Sequence, residues 1–323
     1  MPGKRKFDEQ IGALDALRQL ADEDKLEPLR KALGNRNNFL VAKAADLARE
    51  FRLPQLTPDI LSAFDRFFEN PEKTDPQCWA KNALSRALAA FEHQDPEVFL
   101  RGMRHIQLEP VWGGRSDTAG TLRSTCALAL VQCRHLPETD LLSHLIDLFA
   151  DQEKTVRAEA LRAVEQVGSP SAALILRTKA MLAKDEPEVL GVCYSGILAI
   201  EGVGAIPCVG QFLHSADETA AEAALAIAAT HSLLAFECLK QNLQNASDPW
   251  WRSVLLSAVA LTRQDAAMEF LFHLVESESL DATAAIDAIM RAMPSSELLK
   301  RLGTATAKNI RLSQHLATAG KSS

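Results

Sequence analysis

Apolar and polar residues alternate along this chain with the period of helices, not of strands. Between residues 156 and 167 the apolar side chains fall at offsets near 0, 4, 7 or 8 and 11, so they share one helical face. Prolines that follow a capping residue mark helix starts, and three glycines mark stops. The starts are Thr57-Pro58, Asp75-Pro76, Asp95-Pro96 and Asp248-Pro249, and the stops are Gly34, Gly168 and Gly202.

The helical pattern also repeats. The same apolar slot returns at intervals of 38, 43, 34, 33, 31, 31 and 31 residues, at Val41, Trp79, Leu122, Val156, Val189, Ala220, Trp251 and Ala282. A recurrence of this length is typical of α-solenoids, in which each unit is a pair of antiparallel helices. The composition agrees, because aromatic residues are only 6% and alanine and leucine dominate. The sequence therefore predicts an all-α solenoid.

The net charge and its distribution along the chain restrict the expected partners. A formal net charge of -7 argues against a phosphate-binding surface, so a nucleic-acid partner is not expected. Residues 201–300 hold 13 Asp and Glu against 5 Lys and Arg, which would favour a basic partner or serve as a solvated outer face.

The six cysteines form no Cys-x-x-Cys pair, and the eight histidines form no His-x-x-x-His pair. We therefore expect no metal site and no cofactor. Cys126 and Cys193, four residues after a repeat anchor, are predicted to be small buried residues. No signal peptide or membrane-spanning stretch is expected, which predicts a cytoplasmic protein.

Several units carry a Val-Arg-x-x-Ala-like start. Val156-Arg157 to Ala160, followed by Gly168-Ser169-Pro170, shows it most fully, and Leu122-Arg123 and Trp251-Arg252 match its beginning. This pattern resembles the HEAT and HEAT-like repeats. The resemblance implies a single right-handed α-solenoid of about eight helix pairs across residues 1–323. Repeats would span about residues 24–303, with an N-terminal helix at 7–20, capping helices at 294–316 and a loop insertion at about 106–119.

In HEAT-like proteins the arginine of this motif joins an aspartate of its own or a neighbouring unit. The resemblance thus implies a structural ladder of Arg123, Arg157 and Arg252 with Asp117, Asp151 and Asp248. A guanidinium fork held by carboxylates would tie repeats together.

The insertion is the least repeat-like segment. It contains Trp112, Gly113, Gly114, Arg115 and Asp117. Tryptophan and arginine are enriched in binding hot spots, and paired glycines permit unusual backbone conformations, so the insertion is a candidate recognition loop. Alternatively, Trp112 packs onto a helix end, the glycines make a turn, and Asp117 or Thr118 caps a helix that begins near Ala119.

Trp250 is the second candidate for partner binding, because Trp251 occupies the buried slot and leaves Trp250 free. Later units also share small residues at two offsets, Ala223, Val254 and Ala285, then Ala226, Ser257 and Ala288. These would line a groove for a partner helix or pack between helices.

We predict a non-enzymatic protein-protein interaction scaffold whose partner is a protein, basic or helical in character. The alternative is a HEAT-like enzyme or enzyme accessory, similar to DNA glycosylases or bilin lyases. No catalytic residue is assigned, since no catalytic motif occurs and the region around Trp250 and Asp248 is acidic.

Overall fold

The protein is all-helical apart from one small hairpin. A computed structural model describes residues 2–319, and side chains from Phe7 onward except that of Asp22. Contacts between Cα atoms divide the chain into two compact units, Met1–Val167 and Gly168–Ser323.

Unit 1 contains ten α-helices and two strands in its described residues. The helices are α1 Pro2–Ala16, α2 Asp22–Leu33, α3 Asn38–Glu50, α4 Thr57–Arg66, α5 Pro71–Thr74, α6 Trp79–Ala90, α7 Pro96–Met103, α8 Gly120–Leu130, α9 Glu138–Asp147 and α10 Lys154–Val167. The strands are β1 Leu108–Val111 and β2 Gly114–Asp117. Short 3-10 turns lie at Leu17–Gln19, Pro54–Leu56, Pro76–Cys78 and Leu148–Ala150.

Unit 2 contains a further ten α-helices within residues 168–319. They are α11 Pro170–Leu182, α12 Pro187–Glu201, α13 Ile206–Gly210, α14 Glu218–Ala228, α15 Leu233–Asn245, α16 Pro249–Leu261, α17 Asp265–Glu276, α18 Ala282–Arg291, α19 Ser296–Thr306 and α20 Ile310–Ala319. Its 3-10 turns lie at Gly202–Ala205 and Gln211–Ser215.

Within each unit, alternate helices pack on one another in sequence. In unit 1, α3 packs on α6, α6 on α8 and α8 on α10. In unit 2, α12 packs on α14, and α16, α18 and α20 follow in the same way. Each of these helices except α20 buries small apolar residues, such as Ala44 and Ala83, which allow close approach between helix backbones.

The repeat anchors are buried with one exception. Val41, Leu122, Val156 and the four anchors of unit 2 are 0–4% exposed. Trp79 is 46% exposed, and Ala80 takes the buried position instead. The immediate cause is the turn before α6, where Gln77 and Cys78 both adopt left-handed backbone conformations, with φ of 59° and 53°. The expectation that Trp79 fills the core was therefore wrong.

Helix caps follow the sequence signals at most of the predicted sites. The Asp95 and Asp248 carboxylates accept backbone N–H groups of the first turns of α7 and α16. Gly168 and Gly202 both have a φ of 70°, a positive value that glycine adopts at little cost. Thr57 differs, because its hydroxyl donates to the Pro54 carbonyl at 2.7 Å and does not cap α4.

The small residues shared by the later repeats pack between helices. Ala223, Ala285 and Ala288 are fully buried, Ala226 is 6% exposed, and only Val254 and Ser257 are half-buried. Of the two alternatives, packing between helices accounts for the burial of most of them. Ala226 also lines a shallow pocket, together with Leu198 and Ala229.

One stretch of the described chain, Pro187–Ser215, is long and apolar enough to cross a membrane on length and composition. More than half of its most apolar window is buried inside the protein. Gly202, whose φ is positive, also divides the stretch between α12 and α13, and α12 packs against α11 and α14. These features favour a buried core segment of the protein.

Candidate functional site

The insertion forms an antiparallel β-hairpin. Leu108 pairs with Asp117 and Val111 with Gly114, which leaves Trp112 and Gly113 as a two-residue turn. Gly113 has a φ of 90°, a conformation that residues with a side chain disfavour. We use "hairpin" below for residues 108–117.

The tip of the hairpin is apolar and open to solvent. Trp112 is 103% exposed and the neighbouring Val111 is 50% exposed. A tryptophan packed onto a helix end would be largely covered, so that alternative for Trp112 is wrong. Arg115 lies on β2, where its guanidinium donates to Glu72 at 2.7 Å and to the Leu108 carbonyl at 2.5 Å.

The base of the hairpin is held by Glu109. Its Oε1 atom accepts three hydrogen bonds, from the Gln77 N–H at 2.6 Å, the Gln107 amide at 2.7 Å and the Thr118 hydroxyl at 2.8 Å. One carboxylate on β1 thus joins the residue before β1, the residue after β2 and the turn before α6. Charge-assisted bonds of this kind are stronger than neutral ones.

Gln107 continues the network into the interior. Its amide nitrogen donates to the Asp75 carbonyl at 2.8 Å, and its Oε1 accepts the Cys78 thiol at 3.2 Å. His105 Nε2 lies 3.1 Å from the same oxygen. Gln107 is 1% exposed, so all of these bonds are shielded from water.

A fully buried ion pair lies beneath this network. Lys81 Nζ is 3.1 Å from Asp75 Oδ2, and both side chains have no exposed surface. Asp75 also accepts the N–H groups of Ala80 and Lys81, and Lys81 donates to the Phe67 carbonyl at 3.1 Å. The name "anchor cluster" is used below for Asp75, Cys78, Lys81, Gln107, Glu109 and Thr118.

The second strand is fixed through Asp117. Its carboxylate accepts the N–H groups of Gln107 and Ala119, each at 3.0 Å, and the Arg123 guanidinium at 2.6 Å. The bond to Ala119 closes a turn just before α8, which begins at Gly120. Thr118 instead donates to Glu109, so neither residue is the helix N-cap.

Arg123 ties this turn to the segment just before α10. Its Nε and Nη2 atoms form a two-pronged contact with Asp151 at 2.7 and 2.9 Å, and the side chain is 4% exposed. Arg252 makes the same contact with Asp281, with Nε to Oδ1 at 2.8 Å. Arg157 donates to the Asp151 carbonyl at 2.7 Å.

Asp248 does not form the ion pair with an arginine that the repeat resemblance implies. Its carboxylate accepts the Trp251 N–H at 2.8 Å and caps α16, whereas Arg252 pairs with Asp281, 29 residues further on. The partner of Arg123 is 28 residues further on, so the two pairs have nearly equal spacing. The repeat pattern in the sequence had not singled out Asp281.

Burial and hydrogen bonding set the charge states around the hairpin. Burial raises the pKa of Asp117, but bonds from Ala119, Gln107 and Arg123 outweigh it, and the net pKa lies below the usual range. The pKa of Glu109 is lowered by the same balance, burial being outweighed by bonds from Gln77, Thr118 and Gln107. Both carboxylates are therefore ionised at neutral pH.

The two titratable groups that contact the Gln107 Oε1 atom, Cys78 and His105, are held neutral. Burial is the main cause of a pKa for Cys78 raised to about 11, and burial likewise lowers the pKa of His105. At neutral pH the Cys78 thiol is protonated, and a protonated thiol is a poor nucleophile. The anchor cluster thus has the properties of a structural support.

Three aromatic rings lie in contact beside the hairpin base. Phe7, Phe39 and Trp79 come from α1, α3 and α6, with ring centroids 5.7 and 5.1 Å apart. Trp79 Nε1 donates to Gln77 Oε1 at 3.0 Å, and the Gln77 N–H donates to Glu109, so these rings adjoin the hairpin. We call the three aromatic residues the aromatic strip.

Trp250 stands apart from these features along the chain. It is 47% exposed at the start of α16, beside the buried Trp251 at a centroid distance of 6.3 Å. Elsewhere in unit 2, a groove of about 650 Å³ lies between α13 and α15, lined by residues such as Val203, Ile206 and Leu234. Within residues 2–319, no group of three or more His, Cys, Asp or Glu side chains is placed to hold a metal ion.

Compared with models of known protein families and with curated proteins, the chain gives no match.

The sequence singled out the tip of the hairpin but missed its support. Asp75 was interpreted only as a helix start, and Gln107, Glu109 and Lys81 gave no motif. The one available signal was Lys81 itself, a charged residue inside the apolar pattern of α6.

Proposed function

We propose that this protein is a non-enzymatic interaction scaffold whose hairpin and aromatic strip bind a protein partner. The observation that carries the proposal is the contrast between the tip and the base of the hairpin. Trp112 is wholly exposed, while the base is fixed by buried and partly buried bonds of Glu109, Gln107 and Asp117. An apolar side chain on a pre-ordered support loses little conformational entropy when a partner covers it.

The aromatic strip extends the apolar surface of the tip. Phe39 is 38% exposed and Trp79 46% exposed, and both rings lie next to the turn that holds Glu109. Aromatic residues dominate the binding energy of many protein interfaces. A partner that contacted both Trp112 and Trp79 would bury more apolar area than either could offer alone.

For the scaffold we propose a HEAT-like α-solenoid in a cytoplasmic protein. The packing of α3, α6, α8 and α10, and of α12, α14, α16, α18 and α20, supports it. So does the recurring arginine fork, Arg123 to Asp151 and Arg252 to Asp281. Stacked repeats present long surfaces of the kind that protein partners use.

Affinity capture from a lysate of the source cells tests the proposal. We compare wild type with Trp112→Ala, which removes the exposed ring but none of the bonds at the hairpin base. Leu280→Ala is the matched control, since Leu280 is 104% exposed and lies in unit 2. We expect at least one protein to be captured by wild type and by the control but lost with Trp112→Ala.

The proposal fails if the three proteins capture the same set. A Trp79→Ala variant separates the two parts of the surface. Partial loss with Trp79→Ala and full loss with Trp112→Ala would support a joint site of tip and strip.

A further inference from the structure

The first helix of unit 1 does not close fully against the two helices that follow it. Both α1 and α2 pack on α3, yet a cavity of about 240 Å³ lies between them and opens to solvent. Its floor is formed by Leu14 of α1 and Leu40 of α3, which are 6% and 4% exposed. Ala13 and Pro28 are exposed at its rim.

Small side chains and a proline account for the gap between α1 and α2. Ala13 and Ala32 line it from the two helices, and neither side chain is long enough to fill it. Pro28 lies inside α2, where it can donate no main-chain hydrogen bond, and helices often bend at such a residue. The cavity is therefore a consequence of the residues that both helices carry.

The lining of this cavity is mainly aliphatic and has one positive charge. Lys31 is the only charged residue among the described residues that line it, and none of them is acidic. Gln10 and Asn35 add side-chain amides, whose N–H groups can donate to an anion. Such a lining suits a ligand with an apolar body and an anionic end.

Lys31 is available to an anionic ligand. It is exposed, and its side chain forms no ion pair or hydrogen bond with the described residues. Glu27, one turn before it on α2, pairs with Arg30 instead, and Asp59 pairs with the same arginine. The ammonium group at the rim thus has no carboxylate partner in this part of the chain.

We propose that this cavity binds a small monocarboxylate, with its carboxylate at Lys31 and its apolar body against Leu14 and Leu40. An engineered cavity of about 150 Å³ with apolar walls binds benzene. On that scale the cavity beside α1 has room for a ligand of roughly ten non-hydrogen atoms. Phenylacetate is a probe of this size. The proposal does not rest on the function proposed for the hairpin.

The methyl resonances of Leu14 and Leu40 in the full-length chain report binding at this place. Wild type is titrated with phenylacetate, with its neutral isostere phenylacetamide and with the cation phenethylammonium. We expect both leucines to shift, and phenylacetate to bind about fivefold more tightly than phenylacetamide, the most that an ion pair open to water usually gives. The cation should bind most weakly of the three.

Two pairs of variants separate the charge from the cavity. Lys31→Met should abolish the preference for phenylacetate over phenylacetamide, whereas Lys73→Met, which removes an exposed lysine of α5, should leave it unchanged. Ala13→Phe should weaken the binding of all three probes about tenfold, because the ring takes the space of the ligand. Ala90→Phe, at the exposed end of α6, should not weaken it.

A second filling variant, Ala32→Leu, reduces the cavity from the side of α2 in case the ring at residue 13 turns outward. Shifts of Leu14 and Leu40, together with loss of the charge preference in Lys31→Met, support the proposal. It is overturned if no probe shifts these resonances, or if phenylacetate and phenylacetamide bind equally to wild type. Retention of the preference by Lys31→Met, or of wild-type affinity by both filling variants, overturns it as well.

Discussion

Individual polar residues in the interior of unit 1 contribute more to the free energy of unfolding than surface ion pairs do. Lys81 and Asp75 have no exposed surface. Lys81 also donates to a main-chain carbonyl, and Asp75 also accepts main-chain N–H groups and the Asn38 side-chain amide. A buried charge that loses its partner is left unsolvated, whereas an exposed one is solvated by water. The loss of stability on replacing a lysine should therefore depend strongly on whether its carboxylate partner is buried or exposed.

We expect Lys81→Met to lower the free energy of unfolding by about 3–5 kcal/mol, because Asp75 stays buried without its counter-ion. The measurement is denaturant unfolding followed by circular dichroism. Lys43→Met is the control, since Lys43 pairs with Asp15 on the surface at 2.7 Å and should change stability by at most about 1 kcal/mol. Equal effects of the two substitutions would contradict the structural role of Lys81.

Asp117 makes a pH-dependent contribution whose sign follows from its lowered pKa. The folded pKa lies below the unfolded value of about 3.9, so the stabilisation is present above that pH and is lost as the pH falls through the folded pKa. We expect Asp117→Asn to be less stable than wild type by about 2 kcal/mol at pH 7. The difference should shrink below about pH 4, which unfolding curves over a pH series would show.

A difference between Asp117→Asn and wild type that stayed constant down to acidic pH would contradict this assignment. Asp65→Asn serves as the control, because Asp65 is largely exposed and pairs with Arg101 at the surface. Its effect should be small at every pH.

Among the structural elements, the hairpin depends for its stability on the backbone conformation of its two-residue turn. Gly113 adopts a φ of 90°, whereas Gly114 does not have a positive φ and has open space around it. A side chain at residue 113 therefore strains the turn, while a methyl group at residue 114 meets no atom. The two adjacent glycines thus differ in what they tolerate.

We expect Gly113→Ala to destabilise the hairpin by about 1–2 kcal/mol and Gly114→Ala to have little effect. Hydrogen exchange of the amides in residues 107–118 is the appropriate measurement, since local opening need not unfold the helices. Faster exchange in Gly113→Ala alone is the expected result. Similar exchange in both variants would mean that the turn does not limit hairpin order.

Over the whole molecule, each of the two units has its own buried core. Unit 1 buries residues such as Phe64 and Leu84, and unit 2 buries residues such as Tyr194 and Phe272. A segment that buries its own apolar face can fold without the rest of the chain.

We expect fragments 1–167 and 168–323, expressed separately, each to give a helical circular dichroism spectrum and a cooperative thermal transition. A fragment cut within a unit, residues 1–118, is the control and should fold poorly, because it separates Asp117 from Arg123 and α6 from α8. Absence of a cooperative transition in either whole-unit fragment would contradict the independence of its core.

The helices and their buried faces could be predicted from the sequence because the signals are local. Val156 and Ala160 lie one turn apart, and Asp95-Pro96 begins a helix by capping its own first turn. Such features depend on residues within a few positions of one another. The chain's period likewise predicted where most anchors would be buried.

The hairpin and its anchor cluster were decided by tertiary structure, because their partners are far apart in sequence. Gln107 reaches Asp75, 32 residues away, and Glu109 reaches Gln77 over the same separation. Nothing in the residues near 107 indicates such contacts. The turn of two left-handed residues before α6, which leaves Trp79 outside the core, also depends on distant residues. That turn is held by its hydrogen bonds to the hairpin and its base.

By itself, then, the sequence determined that this protein is helical, where several of its helices begin or end, and where most of its apolar anchors are buried, since those properties follow from neighbouring residues. Only the tertiary structure decided that the insertion is a hairpin, that a buried ion pair supports it, and that Trp112 and Trp79 face solvent. These depend on long-range hydrogen bonds, which form between segments that a local pattern cannot connect.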